Sequence, residues 1–151
     1  MSQVDLQVAV SGLDIPAAAQ FQSWVVAAVG QRMRDWEVCV RIVDGDESAG
    51  LNERFRGKPG ATNVLSFVAD MADESGVRLL GDIVICAPLV ASEARAQGKA
   101  VIAHWAHLTV HGVLHLLGMD HQEPGDATQM EDAERTVLAH LGYADPYTVT
   151  V

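Results

Sequence analysis

Eleven residues in the last third of the chain, His111-Gly112-Val113-Leu114-His115-Leu116-Leu117-Gly118-Met119-Asp120-His121, constrain the fold more than any other stretch. Two histidines four positions apart lie on one face of a helix, one turn above the other. Gly118, three residues past the second, suits the left-handed conformation that ends helices. The chain can then fold back and bring His121 to the same point. Three neutral imidazoles converging there are a ligand set for a divalent ion such as zinc, and three protein ligands leave a position open for water or substrate. The run therefore predicts an open metal site, one ion per chain, at the end of a buried helix.

The residues before the run support a helix. The stretch 101–118 is mostly apolar, but His104, His107, His111, His115 and Thr109 interrupt it. A membrane span would not tolerate so many titratable groups, so the helix is expected to be buried in a protein with no membrane partner. The four histidines follow one another at offsets of three, four and four, and spacing alone permits His107 with His111 as the ligand pair. Proximity to Gly118 and His121 favours His111 with His115. His104 and His107 are then core groups or groups that support the ligands, and Asp120 is a candidate acceptor for a ligand's second N–H. Asp120 as a fourth ligand would make the metal structural instead. Zinc peptidases carry a glutamate directly after the first histidine as general base; Gly112 stands in that position, which disfavours a metallopeptidase.

Composition narrows the setting. At 151 residues and 49% apolar content the chain is long enough for one real core, and residues 1–151 are read as a single domain. The two cysteines, Cys39 and Cys86, lie in separate apolar runs and build neither a thiolate metal site nor a disulfide framework. With no secretory or mitochondrial signal at the start, a reducing, cytoplasmic setting is expected. The net charge of −10 rules out a uniformly basic face, so any polyanion must bind locally and with help from a metal ion; DNA is not among the expected partners. Acidic residues are dense over 120–145, and Arg54, Arg56 and Lys58 form the clearest basic cluster.

Periodicity predicts strands over 4–10, 38–43, 64–68 and 79–86. Helices are expected over 15–34 with Pro16 in the first turn, over 46–55, from Pro88 to 97, and to 117 through the histidines. A last helix is expected to open on a capping box of Asp126 and Gln129 and to end near 141–142. A loop marked by Gly57, Pro59 and Gly60 spans 56–63, and 70–76 reads as weakly structured. One α+β domain follows, with a small mixed sheet of about four strands packed with about five helices.

The histidine run resembles the signature of the YbeY family of bacterial metal-dependent endoribonucleases. Arg56-Gly57-Lys58 with Thr62-Asn63-Val64-Leu65-Ser66-Phe67 is similar to a second block of that family, and Leu80-Gly81-Asp82-Ile83-Val84-Ile85-Cys86 to a third. His104-Trp105-Ala106-His107 precedes the metal motif, and Leu141-Gly142-Tyr143 follows it, in the family's order. The likeness covers residues 52–147; no part of the N-terminal third is matched, and Pro59-Gly60-Ala61 lacks a second basic residue beside Lys58. The resemblance implies zinc held by His111, His115 and His121, and cleavage of single-stranded RNA. It also implies roles in maturing the 3′ end of small-subunit ribosomal RNA and in ribosome quality control, with the ribosome or its small subunit as partner. Arg56 is then the functional arginine of the substrate groove, with Lys58 adding point-charge attraction and His111 serving catalysis as well as metal binding. The rival expectations are a metallohydrolase of another class, peptidase-like, and a ribosome assembly factor with a structural metal.

Overall fold

Strand β2, Trp36–Val43, alternates buried Trp36, Val38, Val40 and Ile42 with half-buried Glu37, Cys39 and Arg41, as a strand does when one sheet face carries the main core. Around it the computed structural model, which describes residues 2–119 and 124–147, builds a four-stranded sheet. β1 (Gln3–Val8) runs parallel to β2, and β4 (Arg78–Cys86) runs parallel to β2 on its other side. β3 (Val64–Ala72) pairs antiparallel with β4 as an edge strand, giving the order β1-β2-β4-β3. The parallel β1–β2 pair requires a crossover, which α1 (Ala18–Val29) supplies.

The sheet faces differ. One is sealed by a core in which Phe21, Trp24 and Val25 of α1, Ile83 and Ile85 of β4, and Trp105, Val110 and Val113 of α4 (Val101–Leu116) interlock. The other is half-covered by α2 (Gly45–Arg56) over a small cluster of Val43, Leu65 and Val84. α3 (Ala87–Gln97) and α5 (Pro124–His140) flank α4, which touches helices or strands on nearly every side. Among the described residues no helix is long and apolar enough to cross a membrane.

Three expected boundaries need correction. α1 is shorter than 15–34: it begins after Ala17 and stops at Gly30, whose φ of 59° is cheap only for glycine. β3 runs on to Ala72 instead of stopping at Val68, through an irregularity at which Asp70 takes φ 47°. Asp73 then closes the hairpin by accepting from the backbone N–H of Ser75 and Val77, so only a tight turn remains of the weakly structured stretch. α5 already includes Pro124, which places Asp126 in its first turn and not at its cap.

Candidate functional site

α4 crosses beneath the β3 edge of the sheet, and Gly112 is the contact point. A Cβ there would lie 2.9 Å from Ile83 Cγ2 and 3.2 Å from its Cγ1 and Cδ1. The glycine found where peptidases carry a glutamate is thus a packing requirement, with no room for that side chain. It lets the helix sit close enough for Ser66 Oγ to donate to the Gly112 carbonyl at 3.4 Å. The helix then ends as its sequence predicts. The N–H of Gly118 (φ 100°) bonds the His115 carbonyl at 3.0 Å and that of Met119 bonds the Leu114 carbonyl at 3.1 Å, the paired closure of a left-handed glycine stop.

His111 and His115 therefore face one groove of about 140 Å³, lined also by Arg56, Thr62, Asn63, Val64 and Ser66. Arg56 arrives from the other side of the sheet. Asp44 caps α2 by accepting from the Glu47 N–H, and Gly57, at φ 67°, ends the helix just after Arg56. Buried Ser48 and Asn52 tie the following loop down: Ser48 Oγ donates to the Thr62 carbonyl and Asn52 Nδ2 to the Gly60 carbonyl, at 2.8 and 2.9 Å. A guanidinium from one element and two imidazoles from another are thereby brought to one opening. Lys58 is exposed in the same loop and is not among the residues lining the groove. His121 and Asp120 lie outside the described residues.

Behind the groove stands a residue the sequence reading did not single out. Glu134 of α5 is fully buried. Its Oε1 lies 2.6 Å from His107 Nε2 and accepts from the Tyr147 hydroxyl at 2.7 Å, while Oε2 lies 3.3 Å from His111 Nδ1. Burial pushes its pKa up, but the hydrogen bonds from His107, His111 and Tyr147 outweigh burial and bring it down to about 2. An ionised carboxylate only accepts, so both facing ring nitrogens carry hydrogen. The signal is present in the sequence: Glu134 interrupts the apolar stripe of Met130, Val137 and Leu138 on α5, and a lone acid on such a stripe is almost always paired.

A second carboxylate holds the other side. Glu93 Oε1 lies 2.9 Å from Nε2 of buried His104 and accepts from Asn63 Nδ2 at 3.1 Å, which fixes Asn63 at the groove wall. Burial, chiefly, lowers the pKa of His104, so its ring is neutral and donates to Glu93. His104 and His107 thus support the site from behind, as the sequence suggests for residues outside the ligand pair. Two larger recesses, of 480 Å³ beneath α2 and 510 Å³ beside Lys99, contain none of these histidines.

The donor set suits a metal. Among the described residues no group of three ligand side chains forms, and His111 and His115 supply two imidazoles on one face. The 3.3 Å contact from His111 Nδ1 to a buried carboxylate is the arrangement that metal-binding histidines share, since it leaves the opposite ring nitrogen as the basic one.

A four-stranded mixed sheet with five helices, a histidine helix packed beneath it and an arginine lining the same groove as His111 and His115 define a small single-domain α+β class. Residues 10–142 match the family model described as Endoribonuclease YbeY, and the chain belongs to that family. It is 56% identical over 137 residues to the Endoribonuclease YbeY of Stenotrophomonas maltophilia strain R551-3, covering 88% of this chain and 85% of that one. It is 53% identical over 148 residues to that of Stutzerimonas stutzeri, covering 97% and 92%. The solution structure of TM1509 from Thermotoga maritima superposes with a TM-score of 0.58 over 98% of this chain and 99% of that one; at 22% identity this is a likeness of fold. The family match begins at residue 10, so residues 10–51, which lie outside the motif likeness, are family sequence too.

Proposed function

We propose that this member of the family is a zinc-dependent endoribonuclease that cleaves single-stranded RNA, its one zinc held by His111, His115 and His121. Its proposed setting is the cytoplasm, where it matures the 3′ end of small-subunit, 16S-type ribosomal RNA and serves ribosome quality control on the ribosome or its small subunit. The observation that carries the reading is the meeting of His111, His115 and Arg56 in one groove although they come from opposite sides of the sheet.

When bound, zinc supplies Lewis acidity toward a phosphate oxygen and lowers the pKa of water to about 7. The chain's own residues do the rest. Arg56 offers a planar fork that pairs with phosphate oxygens and meets the negative charge that grows on them as the phosphodiester breaks. Lys58, exposed in the loop that follows Arg56, adds point-charge attraction for the RNA backbone. His111 belongs to catalysis because it bridges the groove and the buried Glu134. Among the described residues lining this groove none is a carboxylate. A groove of about 140 Å³ accepts one phosphate with its flanking sugar, which a flexible strand presents more easily than a stiff duplex. With a net charge of −10, affinity for free RNA is weak and falls with salt, so a ribosomal partner supplies the specificity.

Elemental analysis of the purified protein, paired with cleavage of an end-labelled single-stranded RNA before and after chelation, tests the reading. Zinc near one equivalent and cleavage that is lost on chelation and restored by zinc support it. Cleavage unchanged in metal-stripped protein refutes it. His111→Ala separates this reading from a structural metal: a folded, inactive protein is expected here, whereas stability and activity lost together mark a metal that holds the fold.

A further inference from the structure

A carboxylate buried in a core is retained at a cost unless every donor around it is matched, and Glu134 is matched three times. Two of those donors are not among the residues lining the groove with Arg56, although they share an adjoining recess with His111, Asn63 and Val64. His107 and Tyr147 both meet Oε1, at 2.6 and 2.7 Å, and their rings stand edge to face at 5.3 Å. Tyr147 is in turn held by the Arg135 guanidinium, 5.1 Å from its ring centre, and by its own N–H on Asp145 Oδ1 at 2.8 Å. The carboxylate plane is therefore set by groups outside the groove, and Oε2 is the oxygen presented to His111.

We propose that Glu134 is the positioning residue of the site: pinned by His107 and Tyr147, it fixes His111 as the Nδ1–H tautomer with Nε2 aimed at the groove. The inference rests on the metal reading above and adds the residue that prepares His111 for it. The Nδ1–H form is the minority tautomer of a free neutral imidazole, so a ring held in that form needs an acceptor at Nδ1; among the described residues that acceptor is Glu134. It also follows that His107, although one turn from His111 on the same helix, is withheld from metal binding. Its Nε2 is committed to Glu134, and its Nδ1 is buried with no partner among the described residues.

Two measurements test this. The first needs no variant: ¹⁵N–¹H correlation of the metal-free protein at alkaline pH, with the His111 resonances assigned by their loss in His111→Gln. A ring protonated at Nδ1 is expected; a ring protonated at Nε2 overturns the proposal. The second compares zinc affinity of wild type, Glu134→Gln and Tyr147→Phe by competition with a chromophoric chelator, with urea unfolding of each metal-free protein alongside. Glu134→Gln is expected to weaken zinc by about 10- to 100-fold, because the glutamine can turn its NH₂ toward a ring that needs an acceptor. Tyr147→Phe leaves the carboxylate in place and is expected to weaken zinc less. Val137→Ala, destabilised by packing loss alone, is expected to keep wild-type affinity, which a merely structural role for Glu134 would not distinguish from Glu134→Gln. Wild-type affinity in a folded Glu134→Gln overturns the proposal and leaves the metal reading intact. Failure of the wild type itself to bind zinc overturns both.

Discussion

Gly112→Ala sets two effects of known size against each other. Replacing a glycine inside a helix with alanine favours folding by about 1 kcal/mol, and at an open position that gain would be seen. Gly112 is not open: the new Cβ would lie 2.9 Å from Ile83 Cγ2 and 3.2 Å from two further Ile83 carbons. Overpacking of this kind costs roughly 1–3 kcal/mol, because the neighbour is a branched side chain in a full core. The balance is a net loss of about 1 kcal/mol. Ile83→Ala removes all three contacting carbons and by itself costs about 2–5 kcal/mol. In that background Gly112→Ala loses its steric cost and partly fills the vacated space, so it should stabilise by about 1 kcal/mol. Urea unfolding of the four metal-free proteins, with m-values unchanged, reads the cycle. The sign reversal is the expected result. An alanine that stabilises equally in both backgrounds would refute the close seating of α4 on β4, and with it the account of how the histidine stripe reaches the groove.

Further outcomes follow from the same geometry. Arg56→Ala should lower RNA cleavage by about 10²-fold or more while zinc content and unfolding stay as in wild type, since removal of one donor aimed at developing charge typically costs that much; unchanged cleavage by a zinc-replete variant removes Arg56 from the mechanism. Glu134, with its pKa lowered from 4.5 to about 2, adds stability that is complete above about pH 5 and disappears as pH falls toward 2. Metal-free wild type should therefore exceed Glu134→Gln by on the order of 3 kcal/mol near neutrality, with the gap closing between those limits, and a pH-independent gap contradicts the assignment. Cys39, its pKa raised to about 11 by burial and by the charges of Asp82 and Asp5, should alkylate at pH 8 far more slowly than in the unfolded chain. Asp82→Asn should speed it, as mass spectrometry of the labelled peptide would show.

What sequence made legible follows from which forces are local. The histidine helix, its glycine stop, the buried stripe of α1 and the four strands all arise from period and turn chemistry; each element is present, although β1 ends at Val8 and β3 runs on to Ala72. Arg56 stands out only through motif likeness; its loop setting alone suggests a solvated arginine, because the fold that carries it to the groove depends on Ser48 and Asn52 holding the loop from α2. Glu134 was missed because its partners are 27, 23 and 13 residues away and meet only after α5 docks on α4. Gly81 shows the same limit. It reads as one residue of a family block, but at φ 145° its Cβ would overlap the Phe67 carbonyl oxygen across the sheet, a demand that only strand pairing creates.

X-ray absorption at the zinc edge of the zinc-loaded protein puts the central claim to its most direct trial. The expected spectrum has three imidazole nitrogens at about 2.0–2.1 Å and one further light atom exchangeable with solvent. A sulfur shell at about 2.3 Å, fewer than two imidazoles, or a fourth shell contributed by the protein that no added anion displaces would contradict it.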